Sequence, residues 1–155
     1  MTRKGNHQRL GELAPHFKFF LNPYSDMRFT GSCPGCSAKT KQRKLPMAIH
    51  VDNWGIVVLN KTCRFCPTCD LLIAHQDEVE GNLGKLFEQT TPEVIDNDYL
   101  VLGTVERKYW RRGLKESMTS GDIVESLHDF KEYVQYEPAP RWEFTGHKES
   151  PVMPR

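Results

Sequence analysis

With 155 residues, 38% of them hydrophobic and 26% charged, the chain is sized for one modest domain plus tails, not two full domains. A mean hydropathy of −0.58 and a longest apolar run of strand length, GIVVL, exclude the roughly 20 apolar residues of a membrane-spanning helix. The net charge of +1 hides segregation: residues 1–50 carry nine Lys/Arg against two Asp/Glu, residues 76–100 one against seven. Such a division suits a polyanionic partner on one face, self-association or simple solvation.

Residues 1–12 are polar with an excess of basic groups and have little to bury, so they are expected to form a flexible basic arm. No apolar stretch follows those basic residues, which argues against a secretory signal and for a cytoplasmic protein. In HFKFFL, Phe17, Phe19 and Leu21 alternate as in a short strand before the NPYSD turn. LPMAIHV (Leu45 to Val51), DNWG and IVVLN (Ile56 to Asn60) predict strand, turn and strand, with Asp52, Asn53 and Gly55 supplying the turn chemistry. Beyond LLIA, the apolar residues Val79, Leu83, Leu86 and Phe87 fall on one helical face, and Asp77, Glu78 and Glu80 suit the positive end of its dipole. Thr91 and Pro92 predict the start of a short helical turn. DYLVLGTVE (Asp98 to Glu106) predicts a buried strand running into a helix, RKYWRRG, that ends at Gly113. A last amphipathic helix is expected from about Ser120, with Ile123, Leu127, Phe130 and Val134 on one face. Residues 137–155 contain four prolines and no periodicity, and are expected to be a disordered Pro-rich tail.

Five cysteines in CxxC clusters, without a signal peptide, favour metal binding or redox chemistry over a disulfide framework. CPGC (Cys33, Cys36) and CPTC (Cys66, Cys69) share a proline after the first cysteine. A CPxC turn is a tight knuckle that points two sulfurs at one centre and aims backbone N–H groups at the thiolates. Two knuckles give the tetrahedral all-sulfur set that a structural Zn2+ takes. Cys63 is the odd thiol, because choosing it would place Arg64 and Phe65 inside a turn without proline. It is expected to be a buried strand residue, with an alternate metal ligand or a reactive thiol as the sharper readings.

The two CPxC knuckles and the hairpin between them resemble zinc ribbons, and also rubredoxins, which hold iron with two such knuckles; here 29 residues separate Cys36 from Cys66. Those families often carry glycine after the second cysteine, where this chain has Ser37 and Asp70. CRFCPTCDLLIAHQDEVE followed by DYLVLGTVERK further resembles an uncharacterised bacterial zinc-ribbon family. That resemblance implies one domain from about Phe17 to Leu114 and no particular activity.

Two basic runs are candidate nucleic-acid contacts: Lys39, Lys41, Arg43 and Lys44 in KTKQRK, and Arg107, Lys108, Trp110, Arg111 and Arg112 in RKYWRR. Cations neutralise phosphates and the aromatics can stack on bases; the competing reading is a solvated basic face with Trp110 in the core. His50 and His75 are candidate ligands or acid/base groups, more often surface or helix-start residues. No HExxH, GxSxG, Walker or GxGxxG pattern occurs, which argues against a common class of enzyme. The expected fold is α+β, a small zinc-ribbon β-hairpin core with one further strand and two or three helices, spanning residues 13–136 as a single domain. The expected function is binding or scaffolding around a structural Zn2+, with a nucleic-acid or protein partner and no membrane. The alternative is a rubredoxin-like iron or thiol redox protein.

Overall fold

The computed structural model describes residues 10–113 and 120–136. In chain order these form β1 (Lys18–Asn22), β2 (Lys41–Val51), β3 (Gly55–Cys66), β4 (Leu71–His75), α1 (Gln76–Phe87), β5 (Tyr99–Val105), α2 (Arg107–Gly113), α3 (Ser120–Glu125), β6 (Leu127–Asp129) and β7 (Glu132–Tyr133). The short turn after Thr91 is a 3-10 helix, Pro92–Val94. No helix among the described residues is long and apolar enough to cross a membrane.

All seven strands belong to one mixed sheet, ordered β6-β5-β2-β3-β4-β1-β7. β1 runs parallel to β4 and β7, and the other pairs are antiparallel. β6 and β7 stand at opposite ends of this order yet are consecutive in the chain, joined by Phe130 and Lys131. Three residue steps reach at most about 11 Å. The two edges must therefore approach each other, and the sheet curls into a half-barrel. Across the gap Phe19 stacks on Phe130, with ring centroids 4.3 Å apart, and the Tyr133 hydroxyl donates to the Val101 carbonyl at 2.6 Å.

Strand alternation sorts the side chains into three apolar clusters. Met47, Ile49, Cys63, Phe65, Leu72, Val101 and Phe130 cluster inside the curl, where Val79, Leu83 and Phe87 of α1 plug it. Phe20, Cys33, Cys66, Leu71 and Ile73 form a second cluster, and Ala48, Val105, Ile123 and Leu127, with Tyr109 and Trp110 against them, form a third. Gly103 permits the close crossing of β5 and β6, since a Cβ there would strike the His128 carbonyl.

This architecture overturns the expected small zinc-ribbon hairpin core. Among the described residues strand outweighs helix, and the hairpin between the cysteine pairs supplies two central strands of a much larger sheet. β2 runs back through the basic run to Lys41, and β3 runs forward through the second cysteine cluster to Cys66, giving an eleven-residue register from Lys41↔Phe65 to Val51↔Gly55. The expected last helix stops at Glu125, because β5 offers an open edge that Leu127, His128 and Asp129 take as β6; tertiary pairing overrides local periodicity. On α1, Leu86 is 45% exposed, so the buried stripe is Val79, Leu83 and Phe87. Of the expected basic arm, Leu10, Gly11 and Glu12 are described: the first two backbone N–H groups donate to the Asp129 carboxylate and the Glu12 N–H to the Val124 carbonyl. The remainder of that arm and the Pro-rich tail lie outside the described residues.

Candidate metal centre

Cys66 ends β3 and Cys69 sits in the tight turn to β4, so the second knuckle is built on the sheet itself. The first knuckle lies in the loop from β1 to β2. In each, the residue after the second cysteine adopts the left-handed conformation, Ser37 at φ 66° and Asp70 at φ 59°. These are the positions where the resembled families often carry glycine. The backbone turn is therefore made without glycine, by two small polar residues, of which Asp is among those that tolerate it.

The four sulfurs of Cys33, Cys36, Cys66 and Cys69 all lie within 4.8 Å of one another. Cys36 Sγ is 3.5 Å from Cys66 Sγ, and Cys33 Sγ is 3.9 Å from Cys69 Sγ. A tetrahedral site with metal–sulfur bonds of about 2.3 Å has sulfurs about 3.8 Å apart, so the group fits a metal ion of that kind. Backbone donors converge as the knuckle requires: Gly35 N–H points at Cys33 Sγ at 3.3 Å, and Ser37 N–H closes the turn on the Cys33 carbonyl at 2.9 Å. The N–H of Ala38, followed by the Cys69 thiol, lowers the Cys36 thiol to about 7. Its partner Cys69 is pushed up to about 12, first by the bond it makes to Cys36, while burial raises Cys33. Four thiolates crowded this closely repel, and a dication held among them would allow all four to ionise.

Cys63 lies apart from this group. It is three residues before Cys66 on β3 and so faces the inside of the curl, where it is 2% exposed and its thiol points at the Lys61 carbonyl. Burial pushes this thiol up to about 12.

The four-sulfur group rests on a packed bed. Tyr136 meets Phe20 edge-on at 5.1 Å, and its hydroxyl lies so close to Gly35 that a Cβ there would stand 2.7 Å away. Arg64, which the sequence marks only as too bulky for a knuckle, holds the first knuckle to the sheet. Its guanidinium donates to the carbonyls of Thr30 (2.9 Å) and Thr40 (3.1 Å) and to the Thr40 hydroxyl (3.2 Å), and that hydroxyl donates to the Phe29 carbonyl. A planar fork does this where an ammonium cannot. Lys131 pairs with Asp70 at 2.8 Å beside the second knuckle. No sequence pattern marks Arg64 or Tyr136, because their partners are distant in the chain.

The two basic runs are adjacent. Lys39, Lys41, Arg43 and Lys44 are exposed on or just before the outer half of β2, and Arg107 Nη2 of α2 donates to the Lys44 carbonyl at 2.6 Å. β5 pairs with β2 only from Met47 onward, so residues 41–46 present an open edge among the described residues. Charges together with Pro46 on such an edge deter strand addition. Arg43 lies over the rings of Phe65 and Phe17, at 4.9 and 5.7 Å. Lys108 lies over Tyr109, Arg111 is exposed, and Trp110 packs in the third cluster; the Arg112 side chain lies outside the description. His50 is exposed, 3.8 Å from Asp52, and His75 is buried, held by Asn22 at 3.1 Å. Neither is near the sulfurs as a ligand.

The chain matches no family model, no curated protein and no solved structure.

Proposed function

We propose that the four cysteines hold a structural Zn2+, and that the sheet it braces is a cytoplasmic binding or scaffolding protein whose basic face takes a nucleic-acid backbone. The observation that carries the metal reading is the all-sulfur tetrad within 4.8 Å. Four sulfur ligands leave no coordination position for water, which favours a structural role over hydrolysis. Support for the partner is the adjacency of the two basic runs, with Arg107 donating to the Lys44 carbonyl and Lys39, Lys41, Lys44, Arg107, Lys108 and Arg111 all exposed. Metal content per chain and a visible spectrum, on protein purified without a chelating tag, test the first half: one colourless zinc is expected. A gel shift that weakens with salt and with Lys41→Glu and Lys44→Glu tests the second; co-purifying protein with no shift would make the protein an adaptor instead.

One observation favours a second reading, a rubredoxin-like iron redox protein. Cys36 is exposed while Cys33 and Cys66 are buried, so one sulfur would offer an electron a route to the surface. Red thiolate charge-transfer bands with iron in place of zinc would establish it.

A further inference from the structure

A cleft of about 410 Å3 opens between α1, the 3-10 turn and the start of β5. Its floor carries the apolar side chains of Leu21, Val51, Leu83, Phe87, Val94 and Ile95, of which Leu21 and Ile95 are partly exposed and the others also belong to the core. Its walls carry three carboxylates, Glu80, Asp96 and Asp98. Among the described residues none of the three forms an ion pair with a cation.

The walls are fixed before any ligand arrives. Glu80 Oε2 accepts from the Tyr99 hydroxyl and from Gln76 Nε2, both at 2.9 Å, which leaves Oε1 available as an acceptor. The opposite wall is pinned to the β2–β3 turn, where Asn97 Nδ2 donates to the Asp52 carbonyl and Asp52 N–H to the Asp98 carbonyl. Burial, and next the Glu80 carboxylate, raise the Tyr99 phenol, so Tyr99 stays a donor to Glu80.

Gly84 bears on the volume of the cleft. A glycine inside a helix costs about 1 kcal/mol relative to alanine, and packing does not account for this one, since a Cβ there would meet nothing within 4 Å. Gly84 lines the cleft, and what its missing side chain supplies is volume.

We propose that this cleft binds a small organic cation, an alkyl ammonium whose apolar body lies on the Leu83–Phe87 floor and whose charge meets Glu80, Asp96 and Asp98. An apolar floor with a few converging polar groups, at this volume, is the ordinary form of a small-molecule site. The unpaired carboxylates select a cation, and the floor selects one with a hydrocarbon chain over a hydrated metal or simple ammonium.

The test is an NMR titration of the full-length, metal-replete protein at pH 7 with n-hexylamine, 1-hexanol and ethylamine as probes. Hexylammonium is expected to give saturable shifts confined to residues lining the cleft, with hexanol and ethylammonium each at least about tenfold weaker. Glu80→Gln is expected to weaken hexylammonium about tenfold. Gly84→Leu fills the cleft and abolishes binding, while its better helix propensity keeps the thermal midpoint at or above the wild-type value. Glu93→Gln, an exposed acid outside the lining, leaves the affinity unchanged. No saturable shift, equal binding of hexanol, wild-type affinity in Gly84→Leu, or an equal loss in Glu93→Gln would each overturn the proposal.

Discussion

Replacing Cys66 by serine should unfold more of this protein than its size suggests, whereas the same change at Cys63 should be mild. Cys66 is fully buried and its sulfur sits 3.5 Å from that of Cys36, 30 residues away in sequence. A metal joining these sites acts as a cross-link. Closing a loop of that length restricts the unfolded chain by about 3.6 kcal/mol in the chain-entropy treatment. For a protein of this size that corresponds to a midpoint lower by about 7–14 °C. Cys66→Ser should lose the metal together with that stability, and a strong chelator should lower the wild type by a similar amount. Cys63→Ser puts a hydroxyl where the thiol already faces the Lys61 carbonyl, so the cost is about 1–2 kcal/mol with metal near one per chain. The assay is thermal unfolding by circular dichroism, with metal measured on the same samples. Equal metal loss in Cys63→Ser and Cys69→Ser, or a wild-type midpoint indifferent to the chelator, would refute the reasoning.

Arg64→Ala should leave the four ligands intact but lower metal retention about 10–100-fold in competition with a chromophoric chelator, because the first knuckle loses its tie to β3. Arg64→Lys should not rescue it, since one ammonium cannot bridge Thr30 and Thr40 together. Lys61, only 8% exposed on its side chain, bonds to Glu78 at 2.5 Å and holds that carboxyl below its ordinary 4.5. A carboxyl lowered by folding stabilises the protein above its unfolded value and loses that contribution as pH falls through the folded one. Glu78→Gln should therefore be less stable than the wild type at neutral pH, with the gap closing below 4.5; urea midpoints showing a constant gap would count against the pairing. Gly103→Ala drives a Cβ into the His128 backbone carbonyl and should lower the thermal midpoint without changing metal content.

The cysteine pairs were legible because a CPxC knuckle is local: proline, spacing and two sulfurs within four residues specify it. The hairpin between them and α1 were legible for the same reason, each announced by turn residues or a periodic stripe in one stretch of chain. The registers were not legible. The basic run KTKQRK carries no strand pattern in isolation, yet Lys41 to Lys44 become strand because β3 supplies Phe65 to Thr62 as partners. Leu127 and Phe130 carry a helical spacing, yet β5 has an unpaired edge for the first and the curled sheet a gap for the second. Asp70 and Ser37 stand where glycine would have signalled a turn, so only the backbone shows the turn is there. Sequence alone thus identified the two cysteine pairs and the segregation of charge, both properties of neighbouring residues. Tertiary structure decided the curl of the sheet, the role of Arg64 and the acidic cleft, because each depends on contacts between segments tens of residues apart, whose closure no local pattern encodes.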